Sequence, residues 1–284
     1  MNDARELFVR YLDQRVAMGE GSIYLTDPLL PAAGRGDTSD AVRSDENAAT
    51  DRRVSAAAPG GKVETDAAVP GWVRDAPQIP PAGIVIPRPS TDLFSEASVA
   101  ATDLDEVVAA VRECVACPLH AGRANTVPGE GPGDARLVVV GEGPGKTEDE
   151  TGRPFVGRAG KLLDDILKAI DLPRDRVFIC NVVKCRPPNN RKPAGDEIES
   201  CAGYLYRQLE IIRPAVILAM GGTAAETLLG TRQSLGSLRN KVHEFRGIPL
   251  VVTYHPAALL RNPNWKKPTW DDVRIARQLV EQGR

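Results

Sequence analysis

Leu137-Val138-Val139-Val140-Gly141-Glu142-Gly143-Pro144-Gly145-Lys146-Thr147-Glu148 is the stretch whose reading decides the fold. An unbroken apolar run leads directly into a glycine-rich turn. A strand that is apolar at every position has no face to offer water, so it belongs inside a sheet covered on both sides. Runs of the same kind occur at 177–183, 216–220 and 250–253. Between and after them lie segments with helical patterning at 157–170, 196–212, 223–229 and 271–281, and a further one precedes at 103–113. Continuous apolar strands alternating with helices predict an α/β fold: three layers, with a central, mainly parallel, four-stranded sheet. In such sheets ligands bind beyond the carboxyl ends of the strands. The polar motifs of this chain follow strand ends.

Outward from that core the composition changes. Residues 1–30 contain Phe8, Tyr11, Leu12 and Val16 at helical spacing, which predicts a short amphipathic segment. Residues 31–100 are rich in Ala, Gly, Asp, Ser and Pro and poor in large apolar groups, so they are expected to be a disordered linker. Residues 101–284 are expected to form the functional domain. Residues 1–111 carry 10 basic and 18 acidic side chains, whereas residues 112–284 carry 26 and 20. The positive excess of the second part permits a polyanionic partner. No run of 18 apolar residues occurs, and the N-terminus has no basic start before an apolar core, so no membrane span or signal peptide is expected and the chain reads as cytoplasmic. Five cysteines, an odd number in a chain without an export signal, suggest metal binding or free thiols rather than disulfides.

The glycine turn after the first strand matches neither nucleotide-binding pattern. A P-loop would need glycine where Val140 stands, and a dinucleotide fingerprint would need it at Lys146. What remains is a turn where backbone closely approaches a ligand, or an ordinary strand-to-helix turn. In Thr151-Gly152-Arg153-Pro154-Phe155-Val156-Gly157-Arg158-Ala159-Gly160, Phe155 lies in a Gly/Pro-framed loop, where its ring can stack on a planar ligand or cap the core. The third run ends in Asn181, whose amide offers donor and acceptor to a pyrimidine edge. A basic, proline-rich loop follows; Lys184, Arg186, Arg191 and Lys192 suit phosphates, or form an ordinary solvated loop. His255 begins His255-Pro256-Ala257-Ala258-Leu259-Leu260-Arg261, where two leucines between a His-Pro and an Arg suit a wedge into a base stack. Cys114-x-x-Cys117 with Cys185 and Cys201 fits a four-thiolate site, for which zinc and an iron–sulfur cluster are equally open from spacing. Cys180, in an apolar strand, reads as an inert buried thiol.

Taken together, Gly141–Gly145, Glu148, Thr151–Gly160, Asn181, the four cysteines and His255-Pro256-Ala257 resemble the family-4, iron–sulfur uracil-DNA glycosylases over about residues 108–284. The resemblance implies a DNA-repair hydrolase. It flips uracil from single- or double-stranded DNA and cleaves its glycosidic bond without a covalent intermediate. It also implies one [4Fe–4S] cluster on Cys114, Cys117, Cys185 and Cys201. Phe155 would stack on uracil, Asn181 would read its O4 and N3 edge, and His255 would face O2. Glu142 would line the pocket and is the first candidate for positioning water. Gly143 stands where other branches of the superfamily place a water-activating aspartate. Glu148 would stand beside uracil C5. Leu259, Leu260 and Arg261 would fill the gap left by the flipped base, and Lys184 and Arg186 would contact phosphates. A monomer at the nucleoid, with no membrane partner, is expected. Rival readings are a covalent uracil-DNA-trapping relative and an inactive iron–sulfur or zinc DNA-binding protein. A P-loop nucleotidase is disfavoured by Val140. The trapping branch uses a histidine in a basic insert, and none occurs between Asn181 and Cys201.

Overall fold

The computed structural model describes residues 70–88 and 100–283. The expected amphipathic segment at 1–30 and most of the expected linker lie outside the described residues. No described helix is long and apolar enough to cross a membrane.

Six strands form one sheet, in the order β1-β5-β6-β4-β2-β3. They are β1 (Ala82–Ile86), β2 (Leu137–Gly141), β3 (Phe178–Asn181), β4 (Val216–Met220), β5 (Val242–Phe245) and β6 (Ile248–Thr253). The four strands foreseen in the sequence make the parallel core β6-β4-β2-β3. Two more strands correct that count. β5 pairs antiparallel with β6, and β1 pairs parallel with β5. β5 escaped notice because it alternates half-buried and buried residues, Val242-His243-Glu244-Phe245, and carries two polar side chains.

The helices are α1 (Leu104–Glu113), α2 (Lys146–Thr151), α3 (Arg158–Ala169), α4 (Gly195–Ile212), α5 (Gly222–Leu229), α6 (Leu235–Leu238), α7 (Pro256–Arg261) and α8 (Lys266–Gln282). Alternation along β2 shows how they cover both faces. Val138 and Val140 pack with Leu205 and Leu209 of α4. Leu137 and Val139 pack with Leu163 and Leu167 of α3 and with Val273 and Ala276 of α8. All five residues of β2 are buried, as the period-2 geometry of a doubly covered strand requires. Local chemistry fixes the helix starts. Asp103 accepts the Glu106 N–H at 2.9 Å at the head of α1, and Glu197 accepts the Ala194 N–H at 2.7 Å before α4.

The expectation of disorder across 31–100 is corrected for residues 70–88. Trp72 is buried against α8, its Nε1 donates to Asp171 Oδ2 at 3.0 Å, and the Arg277 guanidinium lies 4.6 Å from its ring centroid. Arg274 Nη1 donates to the carbonyls of Arg74 and Asp75, and Gln278 Nε2 to that of Pro77. β1 is tied by His243, whose Nδ1 accepts the Ile84 N–H at 2.9 Å while Nε2 donates to the Leu238 carbonyl at 2.7 Å. A Cβ on Gly83 would stand 2.5 Å from His243 Nδ1, so only glycine lets β1 lie over that ring. A few anchors in a polar, proline-rich stretch are invisible to a composition argument, because composition averages over them.

Trp72→Ala is expected to cost about 3–5 kcal/mol of unfolding free energy in denaturant titration. An unchanged midpoint would show that residues 70–77 contribute nothing to the domain.

Candidate active site

The carboxyl ends of the parallel strands bring together residues far apart in sequence. β2 ends in Gly141 and runs into Glu142 and Gly143, β3 ends in Asn181, β4 leads to Gly221, and β6 leads to His255. A Cβ on Gly141 would stand 2.4 Å from Asn181 Oδ1 and 2.5 Å from Phe155 Cζ. Glycine therefore lets the Asn181 amide and the Phe155 ring close over the tip of β2. Asn181 is 2% exposed, and its Oδ1 has no hydrogen-bond partner among the described residues. A buried acceptor left unpaired is costly, and a ligand donor is the natural remedy.

Phe155 sits opposite His255, their ring centroids 5.3 Å apart and their planes 29° from parallel. Its φ of +49° lies in the left-handed region, which is strained for an aromatic residue. Its surroundings enforce that conformation. Arg174 donates to the carbonyls of Pro154 and Phe155, and a Cβ on Gly160 would stand 1.9 Å from the Phe155 oxygen. Glu148 completes the clamp. Its Oε1 accepts the N–H groups of Val156 and Gly157, each at 2.9 Å, and its Oε2 accepts that of Gly145 at 3.1 Å. Glu148 thus holds the Phe155 loop against the glycine turn, a role the resemblance does not imply.

The His255 ring is the N-cap of α7. Its Nδ1 accepts the Ala257 N–H at 3.2 Å, which leaves the proton on Nε2. Burial is the main cause that lowers its pKa to about 4, helped by Arg261 and opposed by Glu148. The imidazole is therefore neutral near pH 7 and donates from Nε2. Its loop is braced from behind. Thr253 donates to the buried Asp272 at 2.7 Å, Arg239 holds Asp272 through two bonds, and Tyr254 stacks on Trp265 at 4.6 Å. Glu142 is oriented by Thr223 at the start of α5, whose hydroxyl donates to Oε2 at 2.5 Å. A Cβ on Gly143 would stand 2.7 Å from Val183 Cγ2, so no aspartate fits there without movement. Thr223, Arg174, Asp272 and Gln208 carried no signal in the sequence, because each acts only through a partner brought near by folding.

Two expectations about DNA contacts are corrected. Leu259 is 1% exposed and packs inward, whereas Leu260 is 41% exposed, so only the second leucine is free to enter a base stack. Lys184 is 1% exposed and cannot reach a phosphate. Its ammonium donates to the Asn181 carbonyl at 2.8 Å and to Gln208 Oε1 at 2.7 Å. On the same loop Arg186 donates to Asn190 Oδ1, Arg191 is paired twice with Glu197, and Lys192 is paired with Glu226. Arg261 is exposed.

Cys114, Cys117, Cys185 and Cys201 line one cavity with Arg123, Lys184 and Tyr204. Two donors already address the sulfurs: Arg123 Nη1 reaches Cys185 Sγ, and the Lys184 backbone N–H reaches Cys201 Sγ, both at 3.3 Å. Burial pushes the Cys201 thiol up to about 12. Among the described residues no group of three or more His, Cys, Asp or Glu is arranged so as to hold a metal ion. Cys180 is fully buried in β3 and stands apart from this cavity.

The family model of the uracil DNA glycosylase superfamily matches residues 128–276. A type-4 uracil-DNA glycosylase of Thermotoga maritima is 45% identical over 185 residues, which is 63% of this chain and 96% of that protein. One from Pyrobaculum aerophilum is 46% identical over 169 residues, 57% of this chain and 86% of the relative. A third, from Archaeoglobus fulgidus, is 42% identical over 184 residues, 62% of this chain and 92% of the relative. With nearly the whole length of such relatives covered at this identity, the chain belongs to the type-4 branch of the uracil-DNA glycosylase superfamily.

Proposed function

We propose that this chain hydrolyses the bond between uracil and deoxyribose in DNA, releasing free uracil and leaving an abasic site. The unpaired, buried Asn181 Oδ1 carries the reading. Uracil offers a donor at N3, whereas cytosine offers a lone pair there and would leave the acceptor unsatisfied. The base must first leave the stack, at a cost of a few kcal/mol that is lowest in mismatches and single strands. Leu260 and Arg261 are the exposed groups that occupy or hold open the gap. Phe155 stacks on the everted ring. Arg186 remains the phosphate-binding candidate on its loop.

As the N1–C1′ bond lengthens, the base takes the electron pair and the sugar becomes cationic. The Nε2–H of neutral His255 stabilises the charge gathering on O2, a contribution of about 2.7–4 kcal/mol for donors of this kind. Glu142, held by Thr223, offsets the sugar's positive charge and orients the water whose oxygen bonds to C1′. With Gly143 in place of an aspartate, Glu142 is the carboxylate in the first motif nearest this task. The chain acts as a monomer on its DNA substrate.

The four cysteines are the residues that would hold a [4Fe–4S] cluster: all four line a common cavity, and hydrogen-bond donors address two of the sulfurs. A cluster held by Cys114, Cys117, Cys185 and Cys201 would supply cross-linking of loops rather than chemistry on the substrate. Cys114 and Cys117 follow α1, Cys185 lies in the loop after Asn181, and Cys201 is in α4.

Three measurements test this reading. Oligonucleotides with a single uracil, treated with protein and then alkali, should be cut at that position, and intact strands from metal-replete protein would sink the proposal. Asn181→Ala is expected to lower kcat/KM by about 10²–10³-fold, the size of effect seen on losing one positioned polar group. Binding to DNA should stay largely unchanged. Between pH 8 and 5 the activity should show no loss assignable to His255. Its folded pKa lies below that of a free imidazole, so the ring stays neutral until pH falls to about 4. An acid limb near the free-imidazole value of about 6.5 that disappears in His255→Gln would contradict the neutral donor.

A further inference from the structure

Lys184 is a lysine held inside the protein, 1% exposed. Its ammonium meets two uncharged acceptors, the Asn181 carbonyl and Gln208 Oε1. Gln208 donates its own amide to the Pro128 carbonyl at 2.8 Å, so its orientation is set. None of the ion pairs among the described residues includes Lys184. Carbonyl oxygens satisfy the hydrogen bonds of an ammonium but not its charge, and a buried charge without an opposite partner is strongly unfavourable.

An anion source bordering Lys184 is the thiol cavity. Lys184 lines it beside all four cysteines, and its backbone N–H donates to Cys201 Sγ at 3.3 Å. Four thiolates carry more negative charge than a divalent ion or an iron–sulfur core returns, so the loaded centre is anionic. Arg123 lies against the same centre, its guanidinium donating to Cys185 Sγ and to the Cys114 carbonyl at 2.8 Å. Arg123 is half-buried, so water shares its charge; Lys184 has no such recourse.

We propose that Lys184 is the buried counter-charge of the four-thiolate centre, a positioning residue whose ammonium joins metal retention to the main chain of Asn181. The inference rests on the reading that the four cysteines hold a metal. It separates charge from hydrogen bonding: glutamine at position 184 keeps a donor but loses the charge, and arginine keeps the charge.

The test is the rate at which purified, metal-loaded protein loses metal to excess EDTA under anaerobic conditions. It compares wild type with Lys184→Gln, Lys184→Arg and Lys192→Gln, the last a control on an exposed lysine of the same loop. Lys184→Gln should release metal about tenfold faster or more, the range typical of partners that support metal ligands. Lys184→Arg should stay close to wild type, and Lys192→Gln should match it. Release from Lys184→Gln as slow as wild type, or from Lys184→Arg as fast as Lys184→Gln, overturns the proposal. If the glutamine variant fails to accumulate in loaded form while the arginine variant does so, the charge requirement is supported; if both fail alike, shape rather than charge is decisive and the proposal falls. Iron and sulfide analysis of wild type separates the two readings. A zinc-loaded wild type removes the cluster but leaves the Lys184 comparison readable, since zinc-bound thiolates are also anionic. A wild type free of metal overturns both.

Discussion

An amide oxygen buried without a partner among the described residues, at the tip of a parallel sheet, is the constraint on which the site depends. Asn181 Oδ1 is enclosed because Gly141 has no side chain, because Phe155 is held over the strand end, and because the β2–β3 pairing continues past the last strand residues. Each of these arrangements has its own support. Glu148 and Arg174 hold the Phe155 loop in a conformation an aromatic residue does not adopt freely. A flexible asparagine would turn its amide toward water or backbone. A fixed one discriminates, because the wrong base edge cannot be accommodated by rotation.

β3 and the loop after it join two kinds of chemistry. Asn181 is the proposed reader of the base, Lys184 is buried behind it, and Cys185 lines the thiol cavity, all within five residues. After Val183 the chain departs from β2, and Lys184 and Cys185 are both buried. Lys184 connects the two: its ammonium donates to the Asn181 carbonyl and its backbone N–H to Cys201 Sγ.

The second support comes from outside the parallel core. Residues 70–77 are fastened to α8, and β1 extends the sheet beyond β5 through His243. On its other side β5 pairs with β6, the strand that delivers His255. Asp272 of α8 binds both Thr253 and Arg239, so the helix that carries the Trp72 strap also braces the histidine loop. The Trp72 strap and β1 lie in a part of the chain whose average composition reads as linker.

Residue type and spacing by themselves determined the parallel core, the glycine turn, the cysteine set and the candidates Phe155, Asn181 and His255. These are patterns repeated over many positions, or residue types that few other environments favour. Strand β5, the strap at Trp72 and the partners Thr223, Arg174 and Gln208 depend on single contacts between distant segments. No local pattern encodes such contacts. The same limit separates Leu259 from Leu260 and Lys184 from its basic neighbours. Adjacent side chains of like type point to opposite environments once α7 and the loop after β3 take their orientation, and only the folded packing decides which is covered and which meets water.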